Sequence, residues 1–374
     1  MKLATMVGSL IAIQLTASLY SKDAFLLLNS MIFLIAVHGC ICYPVQVVAW
    51  REGRIDISLF LLVHAAALIL AAIYVSFYEH SYAVFIAVSL YVTYRVNERI
   101  LFNLQISSGK VGKAYRVMCV ALTLEIATLL GVYFTYGSNG DRFILPSMVA
   151  MAFTIPVALS EIDKGSFGNL RNMLTDKTSM LLMSAHSGLI AFNVMSDRIV
   201  FAEGLSKLDS YLSDYLLIFS YCSSAYALTV SLIEVKRPHL FRIPAGSLYA
   251  FLRKGGFLQL FAAAAAIGLF SSAAISAFFT YNPVGLGLTP GAPVVIFATL
   301  ITTFFLGQAV LSFVHVYYLS ERLYAPLFFT WAVSGIVRTV AYLQSNWTMF
   351  LIISALSGFA GVFGALVHGR LRLT

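Results

Sequence analysis

Charge is scarce in this chain: 11% of its 374 residues are Asp, Glu, Lys or Arg, against 60% hydrophobic ones. A soluble globule of this length needs far more polar material to cover its surface, so a water-soluble fold is excluded. The long runs LFLLVHAAALILAAIYV (59–75) and LFAAAAAIGLFSSAAISAFF (260–279) also lack polar alternation. A membrane β-barrel would show it over about ten residues per strand, which leaves helices. Only four cysteines occur, Cys40, Cys42, Cys119 and Cys222, each inside an apolar segment, so they read as small core residues and suggest neither a disulfide framework nor a metal site. No Walker-type glycine loop, HExxH or nucleophile elbow is present, and the one sequon, at Asn346, is a short pattern that arises by accident. No enzymatic activity and no cofactor are therefore expected. The net charge of +8 is spread between apolar runs and is not interleaved with exposed aromatics, so nucleic acid is not an expected partner.

What is abundant is apolar sequence in membrane-sized pieces. A helix needs about 20 apolar residues to cross about 30 Å of hydrocarbon. Twelve such spans are predicted: 5–21, 24–50, 57–78, 81–105, 115–136, 142–161, 178–200, 212–234, 256–280, 290–319, 323–343 and 346–369. Residues 1–21 carry only Lys2 as a basic region and no clear small-x-small cleavage site, so they read as a retained helix and not as a signal peptide. With the N-terminus in the cytoplasm, most of the 24 Lys and Arg fall in inner connections, while Lys22, Arg142, Arg198 and Lys207 fall outside. That asymmetry is the positive-inside signature, and it places both termini in the cytoplasm.

The expected fold class is thus all-α integral membrane: twelve transmembrane helices in two six-helix lobes around a central cavity. The lobes are residues 1–162 and 178–374, joined by a polar cytoplasmic linker, 163–177. A weak internal echo supports the division: SKDAFLLLNSMIFLIAVHGC from Ser21 resembles LSDYLLIFSYCSSAYALTV from Leu212, aligning Asp23 with Asp214 about half a chain apart.

Ionisable groups are costly at mid-membrane and mark functional positions there. Glu125 lies nine residues beyond Arg116, about 14 Å along its helix, with no charged neighbour on that helix. It is either an inter-helix hydrogen-bond anchor or a cavity carboxylate that titrates during transport. Arg338, about 22 Å from the inner end of its span, shares a helical face with Trp331, Ser334 and Tyr342. Its guanidinium suits a phosphate, though its stem could also reach the outer interface.

In the seventh span Ser179, His186, Asn193 and Asp197 fall within an arc of about 40°. This polar stripe is expected to line the cavity. Asp197 and Arg198 come about 27 Å along that helix, which puts them near the outer mouth or snorkelling at the interface. His186 is a packing residue or a proton-handling ligand, and Gln14 is a further polar position inside the first span.

The Asp-Arg pair closing the seventh helix (MSDRIVF), the Leu-Ser-Asp-Tyr opening the eighth and the basic Arg95 to Arg99 motif (RVNER) complete a familiar layout. It resembles polysaccharide and O-antigen flippases (Wzx type) of the multidrug/oligosaccharidyl-lipid/polysaccharide exporter superfamily. The resemblance implies two lobes alternating between inward- and outward-facing states to move a polyprenyl-diphosphate-linked oligosaccharide across the bacterial inner membrane. Membrane lipid and other polysaccharide-assembly membrane proteins would be its partners. On that reading Arg338 and Arg198 meet phosphate. Trp331, Tyr342 and Asn193 meet sugar, with His186 and Gln14 as further cavity residues, and Glu125 or Asp197 carries a coupling ion. A cation-coupled drug exporter of the same architecture is the alternative reading, and a multi-span polysaccharide polymerase is another.

Overall fold

In the computed structural model the described residues are 2–45, 55–78, 80–107, 110–139, 143–162, 177–208, 210–240, 247–281, 288–289, 291–321 and 323–371. They are built from helices: α1 (Lys2–Leu19), α2 (Lys22–Ile41), α3 (Ile57–Phe77), α4 (Tyr82–Ser107), α5 (Val111–Tyr136), α6 (Ile144–Glu161), α7 (Lys177–Met195), the short α8 (Asp197–Ala202), α9 (Leu212–Leu240), the short α10 (Leu248–Lys254), α11 (Phe257–Tyr281), α12 (Val294–Ser320), α13 (Tyr324–Tyr342) and α14 (Trp347–Leu371). Apolar composition drives these segments into helix in lipid, because every backbone polar group must then be satisfied within the segment. Side chains close the first turns: Ser21 accepts from Ala24 N–H at 3.3 Å before α2, and Asp56 accepts from Leu59 N–H at 2.9 Å before α3.

Among the described residues, seven helices are long and apolar enough to cross a membrane: α2, α3, α5, α6, α11, α12 and α14. The chain is therefore a multi-pass membrane protein. α3 shows the pattern: Leu59, Phe60, Val63, Ala67, Ala71 and Tyr74 face inward, while Leu61, Leu62, Leu68 and Ile69 are exposed. A helix apolar on both its inner and outer faces belongs in lipid. The remaining expected spans coincide with α1, α4, α7, α9 and α13. α4 and α13 carry the ion-pairing arginines described below. That all twelve cross is carried forward as a proposal.

Several expected boundaries shift: α2 ends at Ile41 where the second span was expected to run to 50, and α9 runs to Leu240, beyond the expected 234. The seventh span does not run unbroken to residue 200: a turn at Ser196 ends α7 and α8 begins at Asp197. The tenth begins at Val294 and not at 290, following Gly291 at φ +85 and Pro293, which cannot donate to a preceding turn.

The chain divides into two compact units, residues 1–191 and 192–374. The predicted linker 163–177 lies outside the described residues except for Lys177. In the first unit α4 is the hub, packed against α2, α3, α5 and α6, with α1 held by α5 and α2. In the second, α12 is the hub, packed against α9, α11, α13 and α14. The pairing order recurs: α4 touches α2, α3, α5 and α6 with α6 packed on α5, and α12 touches α9, α11, α13 and α14 with α14 packed on α13. Asp23 and Asp214 both sit in the first turn of their helices, α2 and α9, as the sequence echo predicts.

Small residues allow the tightest of these contacts. A Cβ on Gly358 of α14 would lie 2.4 Å from the backbone of Gly307 in α12, and one on Gly361 would lie 2.8 Å from the Thr330 carbonyl of α13. Glycine is required where helix backbones approach this closely.

Candidate functional site

Among the described residues each unit holds one buried ion-pair cluster within its own helices. In the second unit Asp197, the first residue of α8, and Arg338 on α13 form an ion pair whose side chains are 0% and 1% exposed. Tyr342 lies one turn beyond Arg338, so both reach the same carboxylate: Arg338 donates to Oδ2 and Tyr342 to Oδ1. Tyr215 on α9 donates its hydroxyl to Oδ2 at 2.5 Å. Tyr342 has one proton and commits it to Asp197, so the Ser196 hydroxyl, 2.5 Å from the phenol oxygen, is the donor there.

Aromatic rings enclose this pair. The Arg338 guanidinium lies 4.4 Å from the Phe304 ring centroid and 5.5 Å from that of Phe350. Among the described residues its Nε and Nη1 have no hydrogen-bond partner. Arg198, next along α8, donates to the hydroxyls of Ser220 at 3.1 Å and Ser223 at 3.4 Å, over the ring of Phe219. Asp197 and Arg198 are buried, at 0% and 3% exposure, which removes the snorkelling account of both. Arg338 is 0% exposed and does not reach an interface either.

Nearby, Asn193 donates to the Trp331 carbonyl at 3.1 Å, and Trp331 Nε1 donates to His315 Nδ1 at 3.3 Å. The structure thus gathers Asp197, Arg338, Tyr342 and Ser196 into one cluster and joins Asn193 to Trp331. His186, buried on α7, and Gln14, half-buried on α1, belong to the first unit. Of the predicted polar stripe, the side chain of Ser179 lies outside the described residues.

In the first unit Glu125 of α5 is not alone. Arg95 of α4 sets its Nη2 at 3.0 and 2.8 Å from the two Glu125 oxygens, and its Nη1 at 2.9 Å from Glu98 Oε2. Tyr94 donates to Glu125 Oε2 at 3.3 Å, and Arg95 Nε donates to the Tyr91 hydroxyl at 3.2 Å. The spacing explains the α4 side: Tyr91, Tyr94, Arg95 and Glu98 stand at i, i+3, i+4 and i+7, which is one helix face. Glu125 is therefore an ion-paired carboxylate and not a simple neutral anchor.

Sequence reasoning missed Glu98, Tyr91, Tyr94 and Tyr215, and took Arg95 for a topological cation. The i,i+3 pair Arg95–Glu98 was the one local signal. A further missed residue is Asn97, 0% exposed, whose side-chain oxygen and nitrogen have no hydrogen-bond partner among the described residues.

No family model matches the chain, and no curated protein matches it. A solved structure does: "Inward-facing conformation of a multidrug resistance MATE family transporter of the MOP superfamily", with TM-score 0.59, 11% identity, and coverage of 98% of this chain and 94% of that chain. At this identity the likeness is one of fold, and it extends over essentially the whole of both chains. The protein has the fold of that MATE transporter.

Proposed function

We propose that the protein is a flippase that carries a polyprenyl-diphosphate-linked oligosaccharide across the bacterial inner membrane by alternating access, coupled to an ion. Twelve spans with cytoplasmic termini and two lobes, 1–162 and 178–374, are the accompanying topology. The observation that carries the reading is a whole-length transporter fold with two buried arginines, Arg198 and Arg338, set among aromatic rings and hydroxyls in the second unit. Guanidinium groups recognise diphosphate through paired donors, and aromatic faces and amides recognise sugars. For Arg338 to meet phosphate, the diphosphate has to take over the place of Asp197 as its anionic partner. That exchange is how substrate would unlatch the α7–α8 junction, since Asp197 and Ser196 are both held from α13.

The test is leaflet exchange of labelled lipid-linked oligosaccharide in proteoliposomes, comparing wild type with Arg338→Ala and Glu125→Gln. Exchange in the wild type that falls at least tenfold in both variants is expected. Exchange no faster than in empty liposomes, with folded protein and several glycans tried, rejects the flippase.

A cation-coupled drug exporter is the second reading, and the multidrug description of the solved neighbour favours it. It predicts efflux of cationic aromatic compounds by the same proteoliposomes and no oligosaccharide exchange. Neither reading assigns a catalytic residue.

A further inference from the structure

The two clusters differ in charge balance. Asp197 and Arg338 are one anion and one cation, and Asp197 accepts from Arg338, Tyr215 and Tyr342. The first unit sets two carboxylates, Glu98 and Glu125, on one guanidinium. Both are buried, at 6% and 3% exposure, and close enough to repel one another. Glu125 uses both oxygens on Arg95, whereas Glu98 uses only Oε2; its Oε1 is buried and has no hydrogen-bond partner among the described residues.

A surplus buried carboxylate costs several kcal/mol unless it is neutralised. The helices packed on α4 supply no second cation to this face among the described residues. α5 brings Glu125 itself. His38 of α2 is hydrogen-bonded to the Val63 carbonyl and His64 of α3 to the Phe60 carbonyl. Glu161 of α6 is taken up by Lys110 and Lys113 at 3.1 and 2.5 Å. On α4 itself, the Arg99 guanidinium lies against Gly39 of α2.

We propose that Glu98 and Glu125 share one exchangeable proton across Arg95, making this cluster the site that carries the coupling ion and Glu98 a residue of the coupling machinery. The proposal rests on the ion-coupled transporter reading and assigns the coupling role, open between Glu125 and Asp197 in the sequence, to the Glu125 cluster. Two carboxylates on one guanidinium titrate as a unit, so the proton belongs to the pair and not to either residue. A proton fits better than a metal ion: the Tyr91 and Tyr94 hydroxyls and both Glu125 oxygens are already engaged, which leaves one free carboxylate oxygen instead of the ligand shell a metal cation needs. The Arg95 side chain is 16% exposed, so the cluster is not closed on every side. The Asp197–Arg338 pair, at 0% and 1%, has neither a surplus carboxylate nor such an open side.

The test is infrared difference spectroscopy of the full-length protein in lipid, titrated with acid in potassium buffer and followed by the carboxylic-acid C=O band that shifts in D₂O. The wild type is expected to gain one such buried, deuterium-sensitive band. Glu98→Gln is expected to lose it, because the remaining Arg95–Glu125 pair is balanced. Glu125→Gln is expected to lose it as well, leaving Arg95–Glu98; should that variant fail to fold, Glu98→Gln alone decides, since it leaves the bidentate pair in place. Persistence of the band in Glu98→Gln overturns the proposal, as does its absence from wild type. A midpoint that moves when sodium replaces potassium overturns it in favour of a metal-cation site. A wild-type titration without oligosaccharide exchange supports this inference and rejects the substrate reading; exchange without the titration does the reverse.

Discussion

The two clusters place the same chemistry, guanidinium, carboxylate and phenol, in two environments. Around Asp197 everything closes on one carboxylate, and two tyrosines and an arginine drawn from two other helices hold it at the junction of α7 and α8. Around Arg95 everything closes on one guanidinium, and a face of α4 with one residue of α5 surrounds it on all but a partly exposed side. An ion pair enclosed on all sides behaves as a latch, because opening it strands a charge in a medium that solvates it poorly. A cluster with unequal charges and an exposed edge behaves as a site that exchanges ions. The shared pairing order of the two units makes this divergence informative: one helical plan carries two electrostatic roles.

The largest effect that would break this contrast is on stability. Arg338→Ala leaves Asp197 buried without its cation and is expected to cost about 3–5 kcal/mol, read as a fall in the unfolding midpoint in detergent. Arg95→Ala is expected to cost less, because its cluster is less fully enclosed and its carboxylates can be neutralised by protons. Equal losses would remove the distinction between latch and exchange site.

Next in size are the phenols. Tyr215→Phe and Tyr342→Phe each delete a hydrogen bond to a fully enclosed carboxylate and are expected to cost about 1.5–3 kcal/mol. Tyr94→Phe deletes a 3.3 Å bond to a carboxylate that keeps its bidentate arginine, and about 0.5–1.5 kcal/mol is expected. The same unfolding measurement checks all three.

The smallest expected stability change sharpens the comparison most. Replacing the enclosed pair together, Asp197→Leu with Arg338→Met, in a Tyr215→Phe and Tyr342→Phe background that leaves no phenol without its acceptor, removes both charges at similar volume and is expected to be neutral within about 1 kcal/mol of that background, as buried pairs exchanged for apolar groups often are. Oligosaccharide exchange is nonetheless expected to fall at least tenfold. Full transport by the combined variant would show that the pair is packing alone.

Much of the fold was legible because hydropathy is local. The apolar runs at 59–75 and 260–279 became α3 and α11, and the Asp23 and Asp214 echo fell on matching first turns. The break at Ser196 was not legible, since nothing in MSDRIVF is a strong helix breaker. Partners were the harder matter: Glu125 looked isolated because its cation is on another helix, and Asp197 looked interfacial because depth was counted along one continuous helix. Arg338 was recognised as costly, yet its anion could not be chosen among the acidic residues of the chain.

The sequence alone determined that this protein lives in a membrane as a bundle of helices with charges at a few unusual depths, because the cost of transferring each segment into lipid depends on that segment's own residues. Only the tertiary structure decided which charges meet. Arg95 and Glu125 are 30 residues apart, and Asp197 and Arg338 are 141 apart. Coulomb energy depends on distance in space and on the surrounding dielectric, and helix packing sets both.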